Sequence, residues 1–96
     1  MQVLVLRMEL ALHASLSLKD KRGQLRSILA RCRNRFPVSA AEVDHQDLWG
    51  QATLGFAVVI AERKLCDGLI ERLEAEIERD GSVDVIAVDQ EWLSYG

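Results

Sequence analysis

The amino-acid sequence predicts an α+β domain of ferredoxin-like topology, β-α-β-β-α-β, with a four-stranded antiparallel sheet in the order 4-1-3-2 and two helices on one face. Three observations support this. Apolar residues alternate with a period of two over 2–12 and again over 52–61, the signature of strands with one buried side. Two other stretches, 18–36 and 62–79, repeat their apolar residues every three or four positions, as amphipathic helices do. The patterns follow one another as strand, helix, strand, strand, helix, strand, which is the split β-α-β order.

In the first strand Leu4, Leu6, Met8, Leu10 and Leu12 fall on one side, and Val3, Val5, Arg7 and Glu9 on the other. Ser15-Leu16-Ser17 breaks the alternation, and Ser17 is placed to cap a helix, with Asp20 in the acidic slot three residues on. Leu18, Leu25, Ile28, Leu29, Cys32 and Phe36 then form one apolar stripe. Pro37 ends that helix, because the residue before a proline avoids helical dihedrals. Residues 38–43 read as a short strand and the polar stretch 44–50, with Trp49, as a loop. In the strand 52–61, Leu54, Phe56, Val58 and Ile60 share one side, and Thr53, Gly55, Ala57 and Val59 the other. The second helix is expected over 62–79, with Cys66, Leu69, Ile70, Leu73 and Ile77 inward. Asp80-Gly81 closes it, since glycine accepts the left-handed position after a helix. Residues 82–93 supply the last strand.

Ninety-six residues hold one core, so 1–96 is expected to form a single domain. Its 49% apolar content is enough for that core, and its 28% charged content is that of a folded chain. The two cysteines, Cys32 and Cys66, lie in no metal-binding or redox spacing. They read as buried thiols in a reducing cytoplasm. The apolar start is broken by Arg7 and Glu9 and shows neither a signal peptide nor a membrane span.

Several runs together resemble one known family. Ser15-Leu16-Ser17-Leu18-Lys19-Asp20-Lys21-Arg22, then Phe36-Pro37-Val38-Ser39, then Ala41-Glu42-Val43-Asp44-His45-Gln46-Asp47-Leu48-Trp49 are similar to the YlxP-like bacterial proteins, a domain of unknown function. The resemblance spans nearly the whole chain. It implies a ferredoxin-like fold, a bacterial cytosolic protein and, through the family's gene neighbours in translation and ribosome maturation, an RNA-related setting. It brings no catalytic residues. Leu12-His13-Ala14 and Ala61-Glu62-Arg63 depart from the family pattern.

Charge is unevenly spread. Lys19, Lys21, Arg22, Arg26, Arg31, Arg33 and Arg35 face Asp20 alone within 19–35, a net of +6, which leaves −9 for the rest of a chain whose total is −3. At about 100° per residue, Lys19, Arg22, Arg26 and Arg33 line one flank of the apolar stripe over about 20 Å, and Arg31 and Arg35 line the other. Such a row would follow an RNA backbone by phosphate contacts without base readout. Against it stands pairing with Glu71, Glu74, Glu76 and Glu78 of the second helix.

The open side of the sheet, with Val3, Val5, Ala57 and Val59, has no aromatic residue on its central strands, so base stacking of the kind used by RNA-binding sheets is not expected there. It suits a homodimer or another protein, unless the C-terminal stretch with Trp92 and Tyr95 covers it. In the loop, Asp44, His45, Asp47 and Trp49 form a candidate interaction surface. Asp44 and Asp47 are expected to cap turns and Trp49 to pack beside the core. A metal site there would need His13 to join His45. No phosphate loop, nucleophile–base pair or cofactor fingerprint is present. The expectation is therefore a non-enzymatic binding protein without cofactor or small-molecule ligand, whose partner is RNA or the ribosome or, in the alternative, a second copy.

Overall fold

The computed structural model describes residues 1–96. Strand β1 (Gln2–Leu12) leads to helix α1 (Leu18–Arg35), strands β2 (Ser39–Asp44) and β3 (Gln51–Ile60), a 3-10 turn (Arg63–Cys66), helix α2 (Leu69–Ile77) and strand β4 (Val83–Ser94). The strands form one antiparallel sheet in the order β2-β3-β1-β4, the predicted order read from the other edge.

The alternation in β1 decides which side of the sheet is covered. Leu4, Leu6, Met8, Leu10 and Leu12 are buried, as are Ala52, Leu54, Phe56 and Val58 beside them. They form one cluster with Leu25, Ile28 and Cys32 of α1 and with Leu69, Leu73 and Ile77 of α2. Burial of each large side chain contributes about 1.5–3 kcal/mol, so this cluster is the main term holding the helices to the sheet.

The ends of α1 follow their sequence signals. The Ser17 hydroxyl accepts from the Asp20 N–H at 3.1 Å, and the Asp20 carboxylate accepts from Leu16 N at 3.2 Å, one residue further out than a capping box requires. Phe36, ahead of Pro37, is extended at φ −131° and ψ 149°.

The second helix is shorter than its periodicity predicts. Residues 62–68 are not α-helical: Arg63–Cys66 is a 3-10 turn, and Gly68 sits at φ +78°, a left-handed conformation that no helix interior contains. Cys66 accordingly lies on that turn rather than on α2, half-buried and packed against the core. Trp92 also corrects an expectation. It pairs with Leu4, packs on the core side and carries the Arg63 guanidinium 5.2 Å above its ring. It therefore does not cover the open face, and Tyr95 is largely exposed. Two register shifts, between Glu42 and Asp44 of β2 and between Glu9 and Leu10 of β1 where β4 carries Ile86 as an extra residue, bend the two edges.

Candidate nucleic-acid interface

The apolar stripe of α1 turns Lys19, Arg22 and Arg26 outward, and all three are exposed with no hydrogen-bonding or acidic partner within the molecule. Arg33, the fourth of the row, is exposed but donates to the carbonyl of Ala40 in β2. That bond holds the guanidinium in place and leaves its charge unpaired.

The opposite flank behaves differently. Arg31 Nε lies 3.1 Å from Glu76 Oε2, and Arg35 Nε lies 2.9 Å from Glu76 Oε1. The Glu76 side chain is 5% exposed and is also approached by Arg79 at 3.5 Å. Of Glu71, Glu74, Glu76 and the C-cap residue Glu78, only Glu76 reaches α1. Glu78 instead accepts from Val85 N of β4 at 2.9 Å. The basic surface is thus divided: one flank of α1 closes on α2, and the other opens to solvent.

Lys21 carries the same charge as these residues, but the structure buries it at 1% exposure. Its ammonium donates to the carbonyls of His45 and Leu48 and lies 2.9 Å from Glu42 Oε2. Two hydrogen bonds to carbonyls and the ion pair with Glu42 compensate the charge locally and tie the loop between β2 and β3 to α1. The sequence carried the signal. Lys21 precedes Leu25, Ile28 and Cys32 by four, seven and eleven residues, which places it in the centre of the buried stripe.

The open face has two parts. At one end, Val5 and Val59 are exposed and Val3 and Ala57 half-buried, beside exposed Leu93 of β4. At the other end the side chains are polar and linked. Arg7 reaches Asp44 Oδ2 at 3.1 Å and Glu9 Oε1 at 3.3 Å. Thr53, fully buried, donates to Glu9 Oε2 at 3.0 Å and meets His45 Nδ1 at 2.8 Å. His45 adopts φ +61°, and its N–H is held by Asp44 Oδ1 at 2.8 Å. That backbone hydrogen bond, followed by the one from Arg7, holds the Asp44 carboxyl below its ordinary range.

The two histidines have different partners: His13 Nε2 meets Asp84 Oδ2 at 2.6 Å, while His45 faces Thr53. No group of three or more His, Cys, Asp or Glu side chains stands where it would hold a metal ion. Asp44 does not cap the turn as expected: the one backbone N–H it accepts from is that of the adjacent His45, and the turn is closed by the Leu48 N–H on the His45 carbonyl. Asp47 and Trp49 are exposed, Trp49 at 49%, so the indole does not pack beside the core as expected. The Lys21 anchor fixes the loop carbonyls and leaves the loop tip outside.

No helix is long and apolar enough to cross a membrane. Residues 3–90 match the family described as Protein of unknown function (DUF503). The chain is 34% identical over 77 residues to the "Uncharacterized protein YlxP" of Bacillus subtilis (strain 168), covering 80% of this chain and 84% of that protein. Among solved structures it is similar to the "De novo designed protein Foldit4", at a TM-score of 0.53 and 15% identity with both chains covered in full. That likeness concerns the fold alone.

Proposed function

The chain belongs to the DUF503 family, and from that premise we propose that it is a non-enzymatic accessory protein of the bacterial cytoplasm, ferredoxin-like in fold, that contacts RNA in a ribosomal or maturation setting through the outer flank of α1. One observation supports this above others. Lys19, Arg22 and Arg26 stand exposed without acidic partners, while Arg31 and Arg35 on the other flank are drawn to Glu76. Exposed cations in a row gain affinity by releasing counterions from a phosphate backbone. Arg33, pinned on Ala40, extends the row.

Binding of this kind is tolerant of sequence and sensitive to salt. Four contacts on single-stranded RNA correspond to a slope of about −3 in log affinity against log salt. Reversing Lys19, Arg22, Arg26 and Arg33 to glutamate removes binding to a labelled oligoribonucleotide in fluorescence anisotropy. An unchanged affinity in that variant, with native circular dichroism, refutes the reading.

A second reading is favoured by the exposure of Val5 and Val59, at 38% and 67%, at the apolar end of the open face. It is self-association through Val3, Val5, Ala57 and Val59. Val5→Asp then abolishes a dimer seen by sedimentation, and a concentration-independent monomer mass for the wild type rules it out.

A further inference from the structure

We propose that the groove between the C-terminal half of α1 and the facing flank of α2 is a phosphate-binding site, with Arg35, Arg72 and Arg79 as its donors. None of these belongs to the outer row of α1, so the site stands or falls separately from the RNA contact proposed above.

At about 100° per residue, Arg72, Ala75, Glu76 and Arg79 share the flank of α2 that faces α1, and Glu71, Glu74 and Glu78 fall on the flank turned away. The contacts agree with this division: Glu76 binds arginines of α1, and Glu78 binds the backbone of β4. A helix with an excess of acid therefore presents arginine to its neighbour.

Within the groove, cations outnumber anions. Glu76 pairs with Arg31, Arg35 and Arg79, and Asp80 adjoins Arg31 and Arg79, so with Arg72, whose guanidinium lies at the Asp67 carbonyl, four cations stand against two carboxylates. Arg31 uses all three of its nitrogens, Nε on Glu76 Oε2, Nη1 on Ser27 Oγ at 3.0 Å and Nη2 on the Glu76 carbonyl at 3.4 Å. The other three keep most of their donors. Arg35 commits only Nε, at 2.9 Å, Arg79 only Nη1, at 3.5 Å, and Arg72 only Nη1, at 3.3 Å to the Asp67 carbonyl. These three line one open groove floored by Glu76, with Phe36 and Ala75 as its apolar wall.

The geometry fits an oxyanion. Glu76 pairs with Arg35 at Nε and leaves the Nη pair unspent, and a planar fork matches two phosphate oxygens. Both Glu76 oxygens are already taken up by arginine. A dianion offsets the excess positive charge along the groove better than chloride or a single carboxylate does. The phosphate has two sources, a free nucleotide or the 5′ end of an RNA chain, and the chemistry recognised is the same.

The test is a titration of the whole protein at constant ionic strength, read by amide chemical shifts, with inorganic phosphate, adenosine 5′-monophosphate, and decauridylate with and without a 5′-phosphate as probes. Saturable shifts are expected at residues 35–36 and 72–79. Arg72→Gln combined with Arg79→Gln weakens phosphate binding by about tenfold, whereas Lys19→Gln with Arg22→Gln and Arg26→Gln changes it by less than about threefold. Tighter binding of the 5′-phosphorylated decamer than of its 5′-hydroxyl form assigns the RNA end. Equal binding of the two decamers, with the mononucleotide saturating the same amides, assigns the free nucleotide. Absence of saturation at about 20 mM phosphate, or equal losses in the two variants, overturns the site.

Discussion

Lys21 Nζ and Glu42 Oε2 meet 2.9 Å apart between α1 and β2, and the same ammonium holds the loop carbonyls of His45 and Leu48. One buried charge thus joins a helix, a strand and a loop. Lys21→Met keeps the aliphatic stem and removes every donor, leaving a carboxylate and two carbonyls without a partner. Breaking a buried pair in this way costs about 3–5 kcal/mol. Glu42 keeps 22% exposure, which lowers the expected loss to about 2–3 kcal/mol. Urea unfolding measures the loss, and faster amide exchange over 45–51 locates it. Adding Glu42→Gln restores part of the stability, because the stranded charge is then gone. A single variant as stable as wild type contradicts the anchor.

Gly55 is required by Val43. A Cβ built on Gly55 would stand 2.9 Å from Val43 Cγ1, and the bulge in β2 turns Val43 over that position. Valine is stiff at χ1 and yields poorly. Gly55→Ala is expected to destabilise by about 1 kcal/mol, as modest overpacking does. In the Val43→Ala background the same substitution is neutral or stabilising, since alanine suits a strand better than glycine. Thermal melts of the four-member cycle test the coupling, and additive effects reject it.

The two thiols differ in protection and in pH response. Cys32 is fully buried, and burial, with Glu76 nearby, pushes its thiol up to about 11 from an ordinary 9.0. A raised acid holds its proton in the folded state after the unfolded chain has lost it. Its stabilising contribution is therefore complete below pH 9 and declines as pH rises from 9 through 11. Stability measured across that window falls less steeply in Cys32→Ala than in wild type. At neutral pH a thiol reagent labels the half-buried Cys66 first, and Cys32 only at the rate of global opening. Equal labelling rates contradict the burial.

The strand pattern, the Ser17 cap and the Pro37 stop were legible in the sequence because each depends on adjacent residues. The α2 boundary was misread because apolar spacing continues through Cys66 into a segment that is not α-helical. Asp67-Gly68 marked the true start, and its weight depends on how tightly the chain must turn onto the sheet. Lys21 was legible by angle and hidden by residue type, since a lysine in a buried stripe gains its place from carbonyls 24 and 27 residues away. The division of the basic surface was half legible. Helical angle separates Glu76 from Glu71, Glu74 and Glu78, but which flank faces α1 depends on packing. The two bulges, and with them the meeting of Val43 and Gly55, depend on register between strands and had no local signal.

The extra residue Ile86 in β4 has a consequence for solubility. A twelve-residue border strand with its outer amides free is a ready template for another chain to add to, the first step toward a fibril. The kink at Ile86 breaks that border into two shorter runs, and Asp84, Asp89 and Glu91 place like charges along it, so two such borders brought together repel and fail to align. Straightening β4 by deleting Ile86, an exposed residue, would leave the hydrophobic interior intact and is expected to make pairing between two such borders easier.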